Sequence, residues 1–63
     1  MPVRGVWYSE DRRLRVELVA ERGREFFRVI DRSLPVAQLP SVERLEEWLR
    51  EHAGVGFADL VED

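Results

Sequence analysis

Five side chains carry the hydroxyl or imidazole groups that nucleophilic chemistry needs: Tyr8, Ser9, Ser33, Ser41 and His52. A serine nucleophile requires a base within hydrogen-bond reach, and His52 is the single histidine. It closes a helical stretch, where a protonated imidazole favours the helix dipole, so a helix-end role is expected of it. Carboxylates come in pairs, Glu46 with Glu47 and Asp59 with Glu62. Such pairs do acid–base work only where an apolar pocket raises one pKa. Glu43, Glu47 and Glu51 instead follow the i, i+4, i+8 spacing of a solvated helix side. Gly54-Val55-Gly56 follows a helix rather than a strand and is not followed by Lys-Ser/Thr, so it is not a phosphate loop. With no cysteine and one histidine, the sequence offers no metal-ligand spacing. No catalytic, cofactor-binding or metal-binding set is expected. A chain of 63 residues also leaves little room for a ligand cleft of roughly 300–1,000 Å³.

What the chain does offer is guanidinium chemistry. All ten of its cations are arginines. Wherever this surface meets an anion, it does so with a planar, bidentate fork. The charge is also segregated. Residues 1–33 hold eight arginines against six acids, and residues 34–63 hold two arginines against seven, within a net charge of −3. The front half is mildly basic and the back half acidic.

The elements that position these groups follow from periodicity. Strands are expected over about residues 4–8, 13–21, 24–31 and 34–39. Leu14, Val16, Leu18 and Ala20 alternate with Arg13, Arg15, Glu17 and Val19 at period 2. Arg22-Gly23 is a tight hairpin signal. Pro35 and Pro40 lack amide donors, which suits the fourth strand to an edge. The period then changes. Val42, Leu45, Leu49 and His52, with Trp48 beside them, define an amphipathic helix over about 41–53 with Ser41 as N-cap and Gly54 as its stop. In the tail, 54–63, Phe57, Leu60 and Val61 have the spacing of a short second helix. The expected fold is a single α+β domain: a small antiparallel three- to four-stranded β-meander with one amphipathic helix packed on one face.

One helix covers one face of a sheet. If Leu14, Val16, Leu18, Phe27 and Val29 face the helix, the opposite face carries Trp7, Arg13, Arg15, Val19, Phe26, Arg28 and Ile30. These seven are the candidate partner-binding residues. Four large apolar groups are more than a monomer usually leaves bare. Three arrangements would cover them. Arginine stems can lie over the aromatics and pair with Glu17 and Glu25. A second copy can pack face to face or pair edge to edge, giving a homodimer. Nucleic acid can stack bases on Trp7 and Phe26 while the arginines meet phosphates. The order of elements over residues 14–52 broadly resembles that of the arm-binding domains of tyrosine recombinases and of HicB-type antitoxins, and that resemblance implies a nucleic-acid-binding or regulatory role. The leading expectation is a non-catalytic binding or regulatory module, homodimeric through the arginine/aromatic face, with nucleic-acid binding by the same face as the alternative. The acidic helix and tail could separately dock a basic protein partner. No apolar run is long enough to span a membrane, and the N-terminus lacks a signal-peptide core, so a cytoplasmic location is expected.

Overall fold

The structure, a computed structural model, describes residues 2–63. It is a five-stranded antiparallel sheet with one helix packed against it. The strands are β1 (Val3–Tyr8), β2 (Leu14–Glu21), β3 (Arg24–Asp31), β4 (Leu34–Leu39) and β5 (Val61–Glu62). The helix α1 spans Val42–His52, and a single 3₁₀ turn covers Phe57–Asp59. In space the order is β4-β3-β2-β1-β5. The meander is thus extended by a fifth strand that the tail adds beside β1.

The turns explain the register. Arg22 and Gly23, and again Arg32 and Ser33, have positive φ at both positions of a two-residue loop. Such left-handed loops match the twist of the strands they join. They fix Glu21 opposite Arg24 and Asp31 opposite Leu34. Between β1 and β2 the Ser9 Oγ donates to Asp11 Oδ1 at 2.7 Å and accepts from the Leu14 amide at 3.0 Å. That loop holds Arg12 at φ 61°. The helix begins where Ser41 Oγ accepts from the Arg44 amide, and it ends where the Ala53 and Val55 amides donate to the Leu49 carbonyl. Gly54, at φ 68°, turns the chain away there.

The core lies between the sheet and the helix. Leu14, Val16, Val29, Leu45, Leu49 and Leu60 are buried. The register places Trp7 beside Val16, Val16 beside Val29, and Val29 beside Ala37. All four therefore share the helix side. This corrects the expected placement of Trp7 on the opposite face. Alternation within β1 says only that Val6 and Tyr8 oppose Trp7; pairing with β2 decides which side is inward. The tail then covers the indole, with ring centroids 5.1 Å from Phe57 and 6.2 Å from Phe27. Gly5 makes room for it, since a Cβ there would stand 2.7 Å from Trp7 Cη2. The helix stripe differs too. Leu45 and Leu49 are buried and Trp48 is half-buried, whereas Val42 and His52 are exposed. The tail forms one 3₁₀ turn and a strand, not a second α-helix: Phe57 and Leu60 pack into the core, and Val61 pairs with Tyr8.

Candidate binding face

The face away from the helix is built from alternate residues of four strands. Tyr8, Arg15, Ile30 and Pro35 form one cross-strand row; Val6, Glu17, Arg28 and Gln38 form the next; Val3, Val19 and Phe26 form a third. The middle row holds the charges. Glu17 is only 7% exposed, and Arg28 donates to its Oε1 from Nε at 3.0 Å and from Nη2 at 2.6 Å. Arg15 Nε lies 3.1 Å from the other carboxylate oxygen, but off the hydrogen-bond line. One buried carboxylate thus fixes two guanidinium groups in place. Arg28 is the direct register partner of Glu17, so this is a cross-strand ion pair.

Of the seven residues singled out in the sequence, Arg15, Val19, Phe26, Arg28 and Ile30 lie on this face by strand parity. Val19 is fully buried and Ile30 is 8% exposed, although no helix covers them. They are the floor of the face rather than a contact surface. Phe26 is half-buried. Arg13 sits at its end, where its Nε and Nη2 donate to the two oxygens of Asp31 at 3.0 and 3.3 Å. Those hydrogen bonds hold the Asp31 carboxyl below the ordinary carboxylate range and raise the Arg13 guanidinium in turn. The Asp11 carboxyl is likewise lowered, first by the Ser9 hydroxyl and then by the Arg13 amide. Trp7, the seventh residue, is in the core.

Three further side chains belong here. Tyr8 faces outward because Trp7 faces inward, and the Arg12 guanidinium sits 4.8 Å from the centre of its ring. Arg32 occupies the β3–β4 turn. With Arg13, Arg15, Ile30 and Ser33 they line a shallow depression of about 210 Å³ at one end of the face, so the Arg13–Asp31 pair borders it. The sequence marked Arg12 and Arg32 as turn residues, but their approach to Tyr8 depends on the strand register. Arg32 and Ser33 stand where Asn-Gly would be cheapest.

The hydroxyls and the histidine do not assemble a nucleophile. Ser9, Asp11 and His52 line one open depression of about 350 Å³. The Ser9 proton, however, goes to Asp11, and its oxygen accepts from a backbone amide. His52 stacks on Trp48 at 4.7 Å and 20°. Among the described residues no group of three or more His, Asp or Glu side chains is placed to hold a metal, and no helix is long and apolar enough to cross a membrane.

No family model, no curated protein and no solved structure matches this chain.

Proposed function

We propose that this chain is a non-catalytic binding module that holds an anionic chain, nucleic acid, along the open face of its sheet. One observation carries the reading: that face sets Arg15, Arg24 and Arg28 against Glu17 and Glu21, while seven of the thirteen acids lie in residues 43–63 of the helix and tail. Glu17 holds Arg28 through two hydrogen bonds and lies 3.1 Å from Arg15 Nε. Arg24 lies on the same side of β3, about 13 Å from Arg28 at the rise of an extended strand. Half-buried Phe26 stands between them. Guanidinium forks interleaved with an aromatic suit phosphates and bases together. Glu43, Glu47 and Glu51 are exposed on the helix. They would repel such a ligand from the other side and so favour one orientation.

Self-association through this face fits the geometry less well. Three of the four apolar groups that demanded cover have it, Trp7 from the tail and Val19 and Ile30 from their neighbours, and Phe26 is half-buried. The sheet edges are blunt as well. Pro35 on β4 has no amide to offer, the β3–β4 pairing is bulged at Val29/Ile30, and β5 is two residues long.

The test titrates labelled single- and double-stranded oligonucleotides at low salt, with light scattering on the free chain. Three phosphate contacts give a slope of log K against log salt of about −2 for single strands. A variant combining Arg15→Gln, Glu17→Gln and Arg28→Gln removes the charges without stranding a carboxylate, and binding should fall at least tenfold. No binding by the wild type overturns the reading. A mass of two chains together with no binding replaces it with the homodimer.

A further inference from the structure

We infer that the end of this face, where the β1–β2 and β3–β4 turns meet, is a site for a phosphomonoester dianion, held by Arg12, Arg15 and Arg32 beside Tyr8. The inference rests on the binding reading above for its biological source of phosphate, but its geometry is separate. The cross-strand row carries Tyr8 and Arg15 side by side. The Arg32 amide donates to the Arg13 carbonyl at 3.0 Å, which brings the second turn against the first. The two turns thus deliver Arg12 and Arg32 to one depression.

These arginines differ from the others on the sheet. Arg13 is occupied by both oxygens of Asp31, and Arg28 by Glu17. Among the described residues Arg12 and Arg32 form no salt bridge: Arg12 lies over the Tyr8 ring, and Arg32, exposed in its turn, feels the Asp31 charge without contacting it. Arg15 Nε lies 3.1 Å from Glu17 Oε2 without a hydrogen bond to it. The backbone holds both turn arginines at a cost. Arg12, Arg32 and Ser33 have φ of 61°, 51° and 74°, where a glycine or asparagine would be less strained. The comparable β2–β3 turn relieves that strain with Gly23.

Size and charge select the ligand. About 210 Å³ is below the range of drug-sized pockets and accommodates a phosphate with part of its sugar. Two forks outside any salt bridge match a dianion with three terminal oxygens better than an internal diester with two. The face ends at these turns, so an anion bound there sits at a strand end. Free phosphate and the 5′-phosphate of a strand share this chemistry.

The experiment has two arms on the full chain. In the first, sodium phosphate replaces chloride at constant ionic strength, followed by NMR at arginine Nε and backbone amides. Saturable shifts are expected at Arg12, Arg15, Arg32 and Ser33. Shifts that do not saturate, or that spread evenly over all arginines, overturn the site. In the second arm, 5′-phosphorylated and unphosphorylated oligonucleotides of one sequence compete. The phosphorylated strand should bind about tenfold tighter, the value of one added charge-assisted contact. Arg12→Gln with Arg32→Gln, both exposed, should bring the affinity of the phosphorylated strand down to that of the unphosphorylated one. Equal affinity for both strands overturns the terminal-phosphate site but leaves the face as a nucleic-acid surface. Saturable phosphate binding with no oligonucleotide binding does the reverse, keeping the site and removing the wider reading.

Discussion

Val16 and Val29 on one side of the sheet, and Val19 on the other, are all fully buried. The first two lie in the cluster with Leu45 and Leu49. Val19 has no helix above it. It is flanked in register by Val3 and Phe26, and the row beside it carries Glu17 and Arg28. Neighbouring side chains of the same sheet therefore bury a central valine without a helix above it. A buried hydrophobe on an open face is not a request for an interface. What marks that face is its half-buried residue types, Arg15 and Arg28 with Tyr8 and Phe26, and their contrast with the apolar core between sheet and helix.

The comparison breaks most visibly in paired truncations. Leu49→Ala removes a fully buried side chain from the dry side and should cost about 3 kcal/mol or more. A domain this small holds only about 3–5 kcal/mol in its core, so the variant should lack a cooperative thermal transition by circular dichroism. Val19→Ala on the open side should cost about 1–2 kcal/mol, because flexible neighbours can close over the gap. It should still melt cooperatively. If Val19→Ala also unfolds the chain, the open face is as rigidly packed as the core.

The next effect concerns the charge group. Glu17→Ala leaves Arg15 and Arg28 facing each other without their shared carboxylate. The loss should be about 2 kcal/mol, below the range for fully buried pairs because both arginines reach water. The triple neutral variant, with glutamine at 15, 17 and 28, should be more stable than Glu17→Ala, as measured by urea midpoint. The opposite order would mean that the ion pairs, rather than relief of stranded charge, set the stability.

How much of this contrast was legible beforehand depends on distance along the chain. Period-2 alternation located the four longer strands, and Ser41 and Gly54 bracketed the helix, because those signals are local. The face of Trp7 was not local. It depended on the pairing of β1 with β2, and on a tail that returns from residue 57 to cover the indole. A two-residue strand such as β5 carries no periodicity to read. For the same reason five of the seven candidate residues fell on the intended face while Tyr8, Arg12 and Arg32 were missed. Tyr8 inherits its outward direction from Trp7, and the two arginines lie in turns whose approach only the register reveals.

A smaller effect separates the two hairpin turns. Ser33→Gly relaxes a φ of 74° and should stabilise the chain by about 1 kcal/mol. That corresponds to a rise in Tm of about 4–8 °C. Gly23→Ala at the other turn imposes the same strain and should lower Tm by a similar amount. Oligonucleotide binding measured on Ser33→Gly sharpens the comparison further: retained affinity means that the arginine positions survive a relaxed backbone, and lost affinity means that the strain holds them.

The smallest expected effect is the pH response of the Arg13–Asp31 fork, which joins the open face to the β3–β4 turn. Hydrogen bonds from Arg13 depress the folded-state pKa of Asp31 below its unfolded value of about 3.9. A depressed carboxylate contributes stability above the unfolded pKa and loses it as pH falls through the folded pKa. Asp31→Asn should therefore melt slightly below the wild type at pH 7, with the gap closing as pH drops below about 4. Asp11, lowered by Ser9 and the Arg13 amide, titrates in the same window but on the other turn, so Asp11→Asn should close its own gap independently. If the Asp31→Asn gap stays constant from pH 7 to pH 2, the fork acts through shape alone. Arg13 would then be available to an anion alongside Arg12 and Arg32, and the basic end of the face would be larger than its ion pairs imply.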